Sequence, residues 1–360
     1  MKTVVTITGI RPDFIRMSEI FKKLDDNFNH ILIHTGQHYD ALLSDVFFNE
    51  LEIRKPDYNL EIGGRGKEHF HQSADLSVKI IELLRKEDIK PDIILFLGDS
   101  NSAMAATPLK KEGYKIGHIE AGMRSYDKRM LEEINRVCCD HCSDLLFVYH
   151  DDYKNNLLKE NFDSKSIHVV GNTIVEVAMK FNDLLNTKSK TKDFILLDIH
   201  RPENFKHRSR LENIIKYAQY FSNLTGLPIK LLGFKRTMDY ITEFKIDLTS
   251  IDCIELMSYK DFMLTQYNAA FMISDSGTAQ EEPALLRTPV LVPRDYTERP
   301  QSYANNCSHY LDVNEFKIET LKLANDWLKS ISDGNLIMKS DWLGDGKTST
   351  DIITILKHSI

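Results

Sequence analysis

Residues 274–300 read Ser274-Asp-Ser-Gly-Thr-Ala-Gln-Glu-Glu282 and, after a short gap, Arg294-Asp-Tyr-Thr-Glu-Arg-Pro300. The run leading into them, Ala269–Ser274, is almost wholly apolar, as a strand buried on both faces must be. A strand that ends on Asp-Ser-Gly and continues into a helical pattern predicts a junction whose first turn presents free N–H groups to an anion. Glu281 and Glu282 follow one turn later, where a carboxylate reaches ribose hydroxyls while the helix start holds a diphosphate. Ser-Gly after a strand is also an ordinary turn. The acidic pair and the arginine-rich segment downstream favour a nucleotide carrying a sugar.

Outward from this stretch, apolar runs recur at 3–8, 30–35, 92–97, 114–119 and 144–148, then at 194–199, 228–233, 251–256, 269–274 and 289–293. Between them Ile15–Leu24, Ala41–Leu51, Phe70–Glu87, Ser102–Lys111, Leu131–Ser143 and Leu211–Thr225 carry apolar residues three and four apart. This alternation predicts an α/β protein of two Rossmann-like doubly wound domains facing a central cleft, with ligands beyond the carboxyl ends of the strands. Asp183–Asp193 is polar, Lys-rich and weakly periodic, and reads as the linker. The expected division is 1–185, 186–345 and a C-terminal helical segment, 346–360, crossing back to brace the first domain.

A chain of 360 residues with 46 Lys+Arg against 53 Asp+Glu has a formal charge of −7, which argues against a broad nucleic-acid or anionic-membrane surface. No apolar run approaches a membrane-spanning length, and the chain opens on a strand-like run without a basic-then-apolar leader, so the expected location is the cytoplasm. Five cysteines in that setting read as reduced thiols. Cys139-Asp-His-Cys142 is a single CxxC in a helical stretch and reads as a helix face rather than a metal site.

The other strand ends carry the remaining candidates. Gly9-Ile-Arg11-Pro12-Asp13-Phe-Ile-Arg16 places Arg11 and Arg16 where two guanidinium groups can meet a diphosphate. It lacks the three glycines of a dinucleotide fingerprint, which weakens any NAD reading. His34-Thr-Gly-Gln-His38 offers a polar wall. Phe96-Leu-Gly-Asp99-Ser100, Gly117-His118-Ile-Glu120-Ala-Gly122-Met-Arg124 and Leu131-Glu132-Glu133-Ile-Asn135-Arg136 bring several carboxylates near arginines. Such groups form either a salt-bridge network or the acid and base of a C–H deprotonation beside a leaving group. His200 and Arg201 in Ile199-His-Arg-Pro-Glu-Asn204 are placed to stabilise a departing phosphate, unless they form a buried capping cluster.

Taken in order, these motifs, with Gly171-Asn-Thr173 and Thr297-Glu-Arg-Pro300, resemble the non-hydrolysing UDP-N-acetylglucosamine 2-epimerase family over nearly the whole chain. The resemblance implies a glycosyltransferase-B type fold and C2 epimerisation of a UDP-N-acetylhexosamine, UDP-GlcNAc to UDP-ManNAc. UDP is eliminated and added back through a bound 2-acetamidoglucal, with no cofactor and no metal. It implies catalytic roles for Asp99, Glu120, Glu132 and His200. Diphosphate binding falls to Arg11, Ser276, Gly277, Thr278 and Arg299, ribose binding to Glu282, and uracil binding to the Met257–Phe262 segment. Arg16, His38, Arg124, Arg136 and Arg201 complete the expected substrate-binding set. A UDP-sugar as ligand, a homodimer and a role in polysaccharide biosynthesis also follow from the resemblance.

The chain departs from the usual pattern at Arg16, where many members have Lys, at Ser276-Gly-Thr278, and at His200-Arg-Pro-Glu203. Leu231-Leu-Gly-Phe-Lys-Arg236 lacks a His-Pro-Asn-Pro run common in bacterial members. Ile15-Arg16-Met17 and Ser276-Gly-Thr278 are similar to the branch that forms UDP-N-acetyl-L-fucosamine from UDP-2-acetamido-2,6-dideoxy-L-talose, so that sugar is an alternative substrate. The rival activities are a hydrolysing epimerase, a glycosyltransferase of the same architecture and a non-catalytic nucleotide-sugar sensor.

Overall fold

The computed structural model describes residues 1–36, 45–63, 69–181 and 189–360. Its chain divides into two compact units, Met1–Met179 with Leu343–Ile360, and Lys180–Trp342. Residues 183–188 of the expected linker, with the boundary at 185, and residues 41–44 of the expected second helix lie outside the described residues.

In unit 1, β1 (Thr3–Thr8), β2 (Asn29–His34), β3 (Tyr58–Asn59), β4 (Ile93–Leu97), β5 (Ile116–Ile119), β6 (Leu145–Val148) and β7 (Ile167–Val169) form a parallel sheet in the order β3-β2-β1-β4-β5-β6-β7. The helices are α1 (Arg11–Asn27), α2 (Asp45–Leu51), α3 (His69–Lys86), α4 (Ala106–Lys111), α5 (Leu131–Cys142), α6 (Asp151–Lys159) and α7 (Thr173–Met179). In α1, Pro12 sits in the first turn, where its missing N–H costs nothing, and Phe14, Met17, Phe21 and Leu24 are buried at helical spacing.

Unit 2 repeats the plan. Its strands β8 (Phe194–Asp198), β9 (Ile229–Leu232), β10 (Ile251–Ile254), β11 (Ala269–Ser274), β12 (Val290–Val292) and β13 (Ser308–Tyr310) pair in parallel in the order β10-β9-β8-β11-β12-β13. Its helices are α8 (Pro202–Phe205), α9 (Arg208–Thr225), α10 (Lys235–Phe244), α11 (Tyr259–Asn268), α12 (Glu282–Leu286), α13 (Pro300–Ala304) and α14 (Ile318–Ser332). Successive residues of β8 serve two cores: Ile195 and Leu197 join Phe221 and Ile273, while Phe194 and Leu196 join Leu232 and Val292. That is the period of two expected of a strand covered on both faces.

The last helix, α15 (Thr348–Ser359), belongs to unit 1 and buries Ile352, Ile353 and Leu356. Its start is held by Glu176 of α7, whose carboxylate accepts the Ser349 N–H at 3.0 Å and the Ser349 hydroxyl at 2.8 Å.

Both strand orders reverse once, between β1 and β4 and between β8 and β11. At such a switch point the connections leave on opposite faces and open a crevice beyond the strand ends. The segments delivered there are Gly9–Arg11 and Gly98–Asp99 in unit 1, and Ile199–His200 and Asp275–Ser276 in unit 2.

Three edge strands, β3, β7 and β13, were not expected; with two or three residues each and polar members such as Asn59 and His168, they are too short to show alternation. Two expected helices are broken. Residues 101–105 form a 3-10 turn before α4 begins. After β11, Thr278–Gln280 is also a 3-10 turn, and α12 starts only at Glu282. Pro283 explains the second break, because it has no N–H to bond back to Ala279 and the ladder cannot run through.

Candidate active-site residues

Asp99 follows Gly98, which takes φ +65 at the end of β4. Its carboxylate pairs with the buried guanidinium of Arg136, and its carbonyl accepts Asn135 Nδ2 at 2.8 Å. On the adjacent strand end, Glu120 has φ +73, a left-handed conformation that costs a non-glycine residue about 1–3 kcal/mol. The turn is held because the N–H groups of Glu120 and Ala121 both donate to the Phe147 carbonyl at 3.1 Å. Glu120 Oε2 lies 2.8 Å from Arg16 Nη2, both side chains being buried. Arg16 also reaches Asn172 Oδ1 at 3.4 Å and lies over the Tyr149 ring.

Asp13 completes this group. Its Oδ2 accepts the N–H groups of Gly9 at 2.7 Å and Ile10 at 3.1 Å. Burial, eased by those two bonds and reinforced by the charges of Asp99 and Glu120, pushes its carboxyl up to about 7. Nothing in the local sequence marks Asp13; its burial, with the charges of Asp99 and Glu120 acting on it, comes only with the fold.

The Glu132-Glu133 pair divides. Glu133 is buried and braces the preceding turn, accepting the N–H groups of Ser125 and Tyr126 at 2.9 Å and pairing with Arg136. Glu132 is the half-buried member, four residues before Arg136 and so on its helix face. Arg11 is half-buried over the Phe47 ring. His38 lies outside the described residues. Arg124 is not brought to the group: its guanidinium is engaged by Asp140 at 2.7 Å, Glu160 at 2.7 Å and the Met123 carbonyl at 2.7 Å.

Asp140 anchors a buried network beneath these turns. It meets His118 Nδ1 at 2.6 Å, while His118 Nε2 lies 2.8 Å from the Gly98 carbonyl. Both partners are acceptors, so both ring nitrogens carry hydrogen and the imidazole is cationic. Burial opposes that charge, but Cys139 and Asp140 outweigh it and the His118 pKa is raised. The CxxC stretch thus contributes Cys139 to the core of unit 1.

In unit 2, Asp275 is fully buried at the end of β11 and organises the segment after β8: Oδ1 accepts the His200 N–H at 2.9 Å, and Oδ2 accepts the Arg201 N–H at 3.1 Å and Asn204 Nδ2 at 3.0 Å. His200 Nδ1 is 3.0 Å from Asp198 Oδ1. Burial alone would lower the His200 pKa; Asp198 and Asp275 outweigh it, and the net shift is upward.

The loop after β11 is tight. Ser276 and Thr278 share a hydroxyl contact at 3.0 Å, and a Cβ on Gly277 would come within 2.8 Å of Arg299 Nη1 and 2.9 Å of Glu298 Oε1. Arg299 Nε donates to Glu281 Oε1 at 2.7 Å. Glu282 accepts the Tyr259 hydroxyl and Gln266 Nε2, each at 3.0 Å. Met257 and Phe262 pack, partly buried, on the core that contains Phe194 and Ala279. Arg201 is half-buried beside His200.

The chain matches the UDP-N-acetylglucosamine 2-epimerase family over residues 22–357. It belongs to that family. The UDP-N-acetylglucosamine 2-epimerase of Methanococcus maripaludis is 35% identical over 93% of this chain and 96% of its own. The UDP-2,3-diacetamido-2,3-dideoxy-D-glucuronate 2-epimerase of Pseudomonas aeruginosa is 33% identical over 82% and 84%. The crystal structure of Methanocaldococcus jannaschii UDP-GlcNAc 2-epimerase in complex with UDP-GlcNAc and UDP superposes with a TM-score of 0.86 at 32% identity, covering 100% of both chains. The protein is therefore an epimerase-type isomerase of glycosyltransferase-B type fold. Among the described residues no helix is long and apolar enough to cross a membrane.

Proposed function

We propose that this epimerase inverts C2 of a UDP-N-acetylhexosamine, UDP-GlcNAc to UDP-ManNAc, without releasing the sugar to water. A carboxylate removes the C2 proton, the C1–O bond breaks with its electron pair leaving on the diphosphate, and 2-acetamidoglucal remains. A carboxylic acid on the other face then protonates C2 while a diphosphate oxygen adds back to C1.

One observation carries this reading: Asp99 and Glu120 stand at the ends of adjacent parallel strands, each against an arginine of its own. Two carboxyl groups of this kind can exchange base and acid roles between the two directions of the reaction. Glu132, on the helix face of Arg136, is the third candidate. Unit 1 supplies this proton chemistry, with Arg11, Arg16 and Arg136 balancing its charge, and unit 2 holds the UDP. There Ser276, Gly277, Thr278 and Arg299 take the diphosphate with His200 and Arg201, and Met257 and Phe262 flank the uracil. Glu282, which follows the Ser276-Gly277-Thr278 loop at the start of α12, takes the ribose through its carboxylate, a group that only accepts hydrogen bonds.

The sugar itself has a second reading. The Pseudomonas relative is named for a diacetamido-glucuronate, and Ser276-Gly-Thr278 is similar to the L-talo-specific branch. Incubation in D2O with UDP-GlcNAc, the diacetamido-glucuronate and the 6-deoxy-L-talo sugar, followed by NMR, decides between them. The substrate acquires deuterium at C2 and its epimer accumulates without free hexosamine. In Asp99→Asn and Glu120→Gln the exchange falls by about 10²–10⁴. Full exchange in both variants overturns their roles, and free sugar with UDP establishes hydrolysis. A cytoplasmic homodimer is the state we propose from the family resemblance, checked by light scattering of the purified chain.

A further inference from the structure

The register of β8 with β11 sets Asp198 beside Ser274, and the two oxygens of the buried Asp198 carboxylate take different partners. Oδ1 lies 3.0 Å from His200 Nδ1, and Oδ2 accepts the Ser274 hydroxyl at 2.7 Å. Ser274 Oγ in turn accepts the Ser276 N–H at 3.1 Å. One chain of hydrogen bonds therefore runs from the His200 ring to the first residue of the Ser276-Gly277-Thr278 loop.

We propose that Asp198 is a positioning residue for the epimerase reaction, holding His200 by its Nδ1–H, with Ser274 as brace, so that Nε2–H is the donor offered to the departing and returning diphosphate. This rests on the C2-epimerase reading above. A carboxylate only accepts, so the hydrogen on the Asp198 side must sit on Nδ1. Among the described residues Nε2 has no hydrogen-bond partner, and the side chain is 32% exposed. The charged groups facing the ring are Asp198 from β8, Asp275 beyond β11 at 3.8 Å from Nδ1, and Arg201 beside it; the ring of Phe234, at the start of α10, packs against it with centroids 4.9 Å apart. Two acids against one guanidinium favour imidazolium, in keeping with the upward shift of the His200 pKa. A cation at this position matches the charge that collects on the diphosphate as C1–O breaks. A strand-end cap alone would not need a buried carboxylate here, because Ser274 can be satisfied by a neutral acceptor.

The protonated histidine is the working form, so kcat/KM falls as pH rises through the His200 pKa. The test uses the full chain with ¹⁵N-labelled histidine, titrated by NMR beside a pH profile of kcat/KM. In Asp198→Asn the His200 titration and the alkaline limb both move down by about one pH unit or more. Ser274→Ala, which keeps the carboxylate and removes its brace, moves them the same way by less. Unchanged His200 titration in whichever of these variants folds overturns the proposal. A downward shift in a protein that epimerises no UDP-sugar leaves the hold of Asp198 on His200 intact and removes the epimerase reading instead.

Discussion

At the scale of single residues, the site spends stability on charge held out of water. Glu120 combines a left-handed backbone with a buried carboxylate, which the Arg16 guanidinium meets at 2.8 Å. Among the described residues no arginine or lysine pairs with Asp13; backbone N–H groups hold one of its oxygens, and burial pushes its carboxyl up to about 7 from an ordinary 3.8. The native state therefore binds a proton that the unfolded chain has already lost between about pH 4 and pH 7. Stability falls as pH rises through that window. Asp13→Asn keeps an acceptor for Gly9 and Ile10 but cannot become charged. Its urea midpoint is expected to exceed that of wild type at pH 8, with the gap closing toward pH 4. Equal midpoints at pH 8 would remove the assignment of an ionising Asp13.

At the scale of elements, the turns that follow the strands matter more than the strands. Gly122, two residues beyond Glu120, has φ +76, and a Cβ there would lie 2.5 Å from the Tyr153 carbonyl oxygen. Backbone cannot step aside as a side-chain tip can. Gly122→Ala is expected to lose roughly 2–3 kcal/mol in chemical denaturation, and to slow turnover through Glu120. Gly113→Ala is the control, since Gly113 has φ +89 but nothing within 4 Å of the added carbon. It should cost only about 1 kcal/mol and leave activity as it was. Comparable losses in the two variants would mean that the Tyr153 contact relaxes freely.

At the scale of the whole molecule, unit 1 is discontinuous in sequence. Leu343 accepts the Asn172 N–H at 2.7 Å and α15 buries Leu356 at 0% exposure, yet both come after all of unit 2. Removing a few fully buried aliphatic side chains of this size forfeits about 1.5–3 kcal/mol each. A chain ending at Trp342 is therefore expected to lose hydrogen-exchange protection in α1 and α7 while β8 and β11 keep theirs. Retained protection in α1 would show that unit 1 completes itself without its last helix.

The candidate site was partly legible. Asp99, Glu120 and His200 stood out because each follows an apolar strand, while Asp13 and Asp198 did not, because nothing local marks a cap or a strand end as electrostatically coupled. The amino-acid sequence alone determined the parallel α/β architecture, since periods of two and 3.6 and the Gly-containing strand ends are local properties of a chain, and its ordered motifs carried the resemblance to the family. Tertiary structure alone decided that Arg16 meets Glu120, that Arg136 meets Asp99 and that Asp198 lies beside Ser274. Those pairings depend on strand order and register, which bring together side chains that the local pattern leaves independent.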